Sequence, residues 1–112
     1  MSLHDIPDAA GLVEAVREFL EKDVMGATDG RVRFHTRVAI NALKMVERQM
    51  RVGPAQEAAH RDRLHQLGVS DDRELSAAIR RGDFDDNIHA VADAVGQAVR
   101  DKLLVANPNY LT

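Results

Sequence analysis

A chain of 112 residues has the size of one domain, and with no cysteine it has no disulfide, no thiolate metal site and no cysteine nucleophile. Fifteen Lys and Arg against eighteen Asp and Glu give a net charge of −3, a balance that argues against general binding to nucleic acid or to an anionic membrane. No apolar run can span a bilayer, and Met1-Ser2-Leu3-His4-Asp5-Ile6-Pro7 lacks the basic start and apolar stretch of a secretory signal, so a cytoplasmic location is expected.

Residues 1–7 are expected to form a flexible leader. The first predicted helix then runs from about Asp8 to Met25, with Leu12, Val13, Val16, Phe19, Leu20 and Val24 at the 3–4 spacing of a buried stripe. The stretch Gly26-Ala27-Thr28-Asp29-Gly30 breaks it. A second helix from about Arg33 to Val52 has apolar residues on more than one face, which predicts the centre of the fold. Gly53 closes that helix and Pro54 opens a third, weakly amphipathic one that ends at Leu67 before Gly68. The fourth, from about Asp71 to Arg81, buries Leu75, Ala78 and Ile79; Asp71 and Glu74 resemble a capping arrangement, and Gly82 stops it. The fifth, from about Asp85 to Ala106, places Ile88, Val91, Ala92, Val95, Val99 and Leu103 on one face. Residues 107–112 form a C-terminal tail.

Alanine is plentiful, while aromatics are limited to Phe19, Phe34, Phe84 and Tyr110. That composition suits close helix packing and not a β-sandwich. The strand-like alternation at Val32-Arg33-Phe34 has no partner. The expectation is all-α: one domain over 1–112, a compact bundle of about five helices around a central second helix.

The most orderly polar feature is a stripe on the second helix. Arg33, Arg37, Asn41, Lys44, Arg48 and Arg51 fall within roughly 80° of one another at 100° per residue. Its five cations could hold a phosphorylated or CoA-like anion or an acidic partner, with arginine forks giving bidentate contacts. The plainer reading is a charged face paired with Glu14, Glu18 and Glu21, an acidic line that the short connection sets beside it across an antiparallel hairpin.

Other polar sets are weaker. Asp86, His89 and Asp93 share a face and suit a metal or a general base, yet Gln97 and Arg100 continue that face as a solvent-facing one. An EF-hand loop would need Gly where Ile88 stands and Glu where Ala94 stands. His60 and His65 are five apart, so they do not form the i, i+4 pair of a zinc helix. His35 and His4 stand alone. The segment Leu64 to Ser70 reads like a helix-turn-helix turn, but the would-be reading helix starts with Asp71-Asp72, which phosphates would repel. No phosphate loop, nucleophile elbow or dinucleotide fingerprint is present, so no catalytic residue, cofactor or metal is assigned.

The run from Arg31 to Gln49, RVRFHTRVAINALKMVERQ, together with Ile79-Arg80-Arg81-Gly82 and the closing Leu103 to Leu111, resembles a family of small all-helical bacterial proteins known mainly as a domain of unknown function. The likeness covers nearly the whole chain, but it rests on packing and stripe residues. Arg48-Gln49 departs from the family's Arg-Glu. Such proteins are often encoded beside acyl-CoA dehydrogenases and beside, or fused to, aminoglycoside-phosphotransferase-like kinases. The resemblance therefore implies an accessory role near one of those enzymes and supplies no site residues. The leading expectation is a non-catalytic module that binds a partner protein, with no nucleic acid or membrane partner and homo-oligomerisation left open. The alternative is a small-molecule binder or minor enzyme that takes an anion on the basic stripe.

Overall fold

The structure, a computed structural model, describes residues 7–111; the leader apart from Pro7, His4 within it, and Thr112 lie outside the described residues. Four α-helices follow in order: α1 (Ala9–Phe19), α2 (Gly30–Gln66), α3 (Asp72–Arg81) and α4 (Ile88–Ala106). A π-helical turn (Leu20–Val24) and a 3-10 turn (Met25–Ala27) extend α1, and a 3-10 turn (Pro108–Leu111) follows α4. No strand occurs among the described residues, so the all-α class holds.

The helix count differs from the five expected. Gly53 and Pro54, read as the junction between a second and a third helix, lie inside the single 37-residue α2. Pro54 has no N–H to give the carbonyl of Met50, which would normally break a helix. Pro54 and Met50 are exposed, so water can take up that carbonyl, and the flanking sequences are strong helix formers, Lys44 to Arg51 before and Ala55 to Ala59 after. The sequence signal at Gly53–Pro54 marks something else: the chain divides there into two compact units, Met1–Gly53 and Pro54–Thr112.

Caps hold the helix ends. Asp8 accepts from the N–H of Gly11 at 2.8 Å to start α1. Asp71 accepts from the N–H of Glu74 at 2.7 Å, and the Glu74 carboxylate accepts from the N–H of Ser70 at 3.1 Å, so the expected cap on α3 forms with its reciprocal bond displaced by one residue. Gly68 and Gly82 adopt left-handed backbone, φ 80° and 84°. Each closes the same motif: Val69 N–H donates to Leu64 O and Gly68 N–H to His65 O, then Asp83 N–H to Ala78 O and Gly82 N–H to Ile79 O. The fifth predicted helix begins at Ile88 instead of Asp85, because residues 82–86 form a turn in which Asp83 is bridged to Arg81 at 2.9 Å.

The two units are built differently. In 54–112 a continuous apolar cluster of Leu64, Val69, Leu75, Ala78 and Val91 is buried, with Leu67 and Phe84 packed against it. Ile79, Ile88, Val95 and Val99, expected in the core, are exposed. In 1–53 the buried apolar residues are Ala10 and Ile40, joined by two polar ones, Thr36 and Glu47. Thr36 is satisfied within its own helix, donating to Val32 O at 2.7 Å.

A glycine inside a continuous helix lowers stability by roughly 0.5–1 kcal/mol relative to alanine. A Cβ at Gly53 would make only ordinary contact with Gln49 Cγ at 3.7 Å. Gly53→Ala is therefore expected to stabilise the protein by about that amount in urea unfolding, and a loss of stability would show that the helix does not continue through residue 53.

Candidate functional site

The basic stripe and the acidic line meet in part, on an antiparallel hairpin of α1 and the first part of α2. Arg51 Nη2 donates to Glu14 at 3.1 Å, and Lys44 Nζ lies 3.6 Å from Glu21. The partner number falls on α2 as it rises on α1, which is antiparallel register. Glu18 does not take part; it pairs with Lys22 one turn on, at 3.7 Å.

Between those two bridges lies a pair that reading the stripe alone missed. Arg17 sends its guanidinium fork to Glu47, with Nη2 to Oε1 at 3.1 Å and Nε to Oε2, and Nη1 also reaches Glu21 at 3.2 Å. Both side chains are largely buried, at 16% and 10% exposure. The hydrogen bond from Arg17 holds the Glu47 carboxyl below the usual glutamate range; burial opposes this, and the charges of Arg17, Arg51 and Lys44 add to it. The same bond raises Arg17 above the ordinary arginine value, again against the effect of burial. The signal was available: Glu47 is the one acid inside the run from Arg33 to Arg51, and Arg17 the one cation among the acids from Glu14 to Glu21.

This register divides the candidate residues. Lys44 and Arg51 serve the seam, and Arg48 is half-buried. Arg33, Arg37 and Asn41 are exposed, and neither arginine has an ion-pair partner among the described residues. Residues 26–110 match the family described as domain of unknown function (DUF6285). The chain belongs to that family. The matched segment contains the whole stripe but not Glu14, Arg17 or Glu21. No curated protein and no solved structure matches the chain.

A charged seam leaves the apolar residues of the hairpin elsewhere. Along α1 and its π-helical extension, Glu14, Arg17 and Glu21 reach α2, while Leu12, Val16 and Phe19 fall roughly on the opposite side at 100° per residue. They are 57%, 53% and 55% exposed, which corrects the buried stripe expected for them; Val13, Leu20 and Val24 are half-buried. On α2, Phe34, Val38 and Met45 are likewise turned from the seam and exposed.

The other sequence candidates do not assemble. Asp86, His89 and Asp93 are all exposed, and no group of three or more His, Asp or Glu side chains among the described residues could hold a metal ion. The carboxylates of Asp71 and Glu74 are engaged in capping α3. No helix among the described residues is long and apolar enough to cross a membrane.

Two outcomes are expected at the seam. Glu47→Ala strips a buried charge of its main partner and lowers stability by about 3 kcal/mol, the low end for such a change because Glu21 remains on Arg17. Arg37→Ala, at an exposed position, shifts stability by less than about 0.5 kcal/mol. The pH dependence has a definite sign. A carboxyl lowered by folding contributes fully above the unfolded value of about 4.3, and its contribution is lost as pH falls below that toward the folded value. Unfolding free energies of wild type and Glu47→Gln, measured from pH 7 down to 3, should show a shallower acid loss in the variant; parallel curves would remove Glu47 from the account.

Proposed function

We propose that this protein is a non-catalytic helical accessory module that binds a partner protein through the outward apolar face of its α1–α2 hairpin. The observation that carries the reading is the trio Leu12, Val16 and Phe19, three large side chains one turn apart and each more than half exposed. Fully burying such side chains yields about 1.5–3 kcal/mol each, so covering the exposed halves of all three contributes roughly 2–4 kcal/mol. Contiguous apolar surface of this kind marks interaction sites. The charge distribution fits a contact of that type: eight of the fifteen cationic and eight of the eighteen acidic residues lie in 1–53, so this half carries no net charge and does not repel partners of either sign.

The partner placed first is an acyl-CoA-metabolising or phosphotransferase-like enzyme of the same cell, which rests on the resemblance of the sequence to proteins encoded beside such enzymes. A second reading keeps one specific observation: Arg33, Arg37 and Asn41 form an exposed polar strip without ion-pair partners among the described residues, suited to a phosphorylated or CoA-like anion.

Val16→Asp tests the first reading. At an exposed position it should leave the unfolding free energy within about 0.5 kcal/mol. It should weaken binding to the purified partner enzyme at least tenfold in calorimetry, whereas Arg37→Ala should not. Unchanged affinity for Val16→Asp rejects the α1 face as the contact. Sedimentation of the protein alone separates the remaining occupant: a dimer that Val16→Asp dissociates would assign the face to a second copy of the chain.

A further inference from the structure

The first turns of α2 carry charge of one sign. From Gly30 to Val46 the sequence holds Arg31, Arg33, Arg37 and Lys44 and no Asp or Glu. The first acid of the helix, Glu47, is buried in the seam on Arg17. The acids across the seam are already taken, Glu14 by Arg51 and Glu21 by Arg17 and Lys44, and Glu18 stays with Lys22. Asp23 and Asp29, which precede α2, form no ion pair with these arginines. Arg31 and Arg37 are exposed and have no ion-pair partner among the described residues.

The same turns carry an apolar ridge. Phe34, Val38, Asn41 and Met45 follow one another at spacings of 4, 3 and 4, which sets them within about 60° of one another at 100° per residue. Phe34, Val38 and Met45 are 63%, 51% and 39% exposed, and Asn41 is exposed between them. A ridge with this alternation of 4 and 3 is the one that a second helix packs into. Arg37 borders it on one side, about 70° from its centre line, and Arg31 on the other, about 50° away.

We propose that this face of α2 docks an acidic amphipathic helix of a partner protein, with apolar residues at the same 4 and 3 spacing and Asp or Glu beside them. The ridge supplies the apolar contact, and the two arginines select carboxylates, which their forks can hold in bidentate pairs. Basic and apolar residues on one helix also suit an anionic membrane surface. Asn41 decides between the two. In lipid its amide would be buried with no hydrogen-bond partner, whereas a polar side chain on a facing helix can meet it and fix the register. The face belongs to α2 and uses none of Leu12, Val16 and Phe19, so it does not rest on the contact proposed for α1.

Fluorescence anisotropy of the full chain with labelled helical peptides of about three heptads tests the proposal. One peptide has Leu at its a and d positions and Glu at e and g, which also keeps it from pairing with itself. A second has Lys for each Glu, and a third keeps Glu but has Ala for each Leu. The first should bind at least about tenfold more tightly than either of the others, and more weakly as salt is raised. Arg31→Glu, Arg37→Glu and Val38→Asp should each weaken it about tenfold, because each sets a like charge or a bare carboxylate against the docked helix. Val16→Asp should leave it unchanged. The substituted positions are exposed, so melting curves by circular dichroism should match wild type; should Val38→Asp fail to fold, the arginine variants and the three peptides still decide. Equal binding of the Lys and Glu peptides, or affinity unchanged by both arginine variants, would overturn the proposal. Weakening by Val16→Asp would move the contact to α1 and overturn it as well. Silence of the Glu peptide at about millimolar concentration would withdraw the site. Co-sedimentation with phosphatidylserine–phosphatidylcholine vesicles in place of peptide binding would reassign the face to a membrane surface.

Discussion

Arg17 crosses the seam between α1 and α2 to a carboxylate with little access to water, and the construction of residues 1–53 follows from that contact. A buried glutamate without a partner would be neutralised or would unfold its surroundings; with the guanidinium fork on it, it stays charged. The fork also has direction. It meets Glu47 with two nitrogens and leaves a third for Glu21, so it fixes both the register and the rotation of α1 against α2. The flanking bridges from Glu14 to Arg51 and from Glu21 to Lys44 lie in the same register. Each is exposed enough to contribute only about 0–1 kcal/mol. They follow the Arg17–Glu47 contact more than they enforce it.

A helix has one circumference, and a side given to charge is unavailable for an apolar contact with the same neighbour. With Glu14, Arg17 and Glu21 aimed at α2, the Leu12, Val16 and Phe19 stripe has to point elsewhere. Residues 54–112 solve the packing problem in the opposite way. There the two glycine-closed motifs after α2 and α3 turn Val69 back onto Leu64 and return the chain beside Ala78, and an apolar cluster forms from residues close in sequence. One unit thus has an apolar core with polar pairs around it, and the other has a polar seam with apolar faces outside. That inversion leaves Leu12, Val16 and Phe19 of 1–53 uncovered, the face proposed for a partner protein.

How much of this was legible in the sequence depended on whether the signal was local. The all-helical class, the caps at Asp71 and Gly82 and the breaks at Gly26–Gly30 and Gly68 all rest on residues within one turn of each other, where spacing and side-chain chemistry decide. The pairing of Glu14 and Glu21 with Arg51 and Lys44 was also legible, because a short connection restricts two amphipathic helices to an antiparallel arrangement. The burial of α1 was not. A 3–4 apolar spacing says that a stripe exists but not that the neighbouring helix receives it, and here Arg17 and Glu47 take that place. Gly53–Pro54 was read as a helix end because both residues disfavour a helix interior, yet at a surface position water can compensate the missing bond. The contacts of His60 with Asp72 and of Arg63 with Asp101 were invisible for a further reason: the partners come from three helices, and their proximity depends on two turns whose geometry a linear reading does not supply.

The distribution of charge ties these points together. Since residues 1–53 are neutral, the whole net charge of −3 belongs to 54–112. Within that unit Asp101 is paired with Arg63, while Asp72 meets His60, which carries a charge only when protonated. The remaining acids of that unit are concentrated at the start of α3 and in the turn before α4, where Asp71 and Glu74 cap a helix and Asp83 is held by Arg81. At physiological ionic strength charges more than about 8 Å away are largely screened, so the local complement and not the net charge governs recognition.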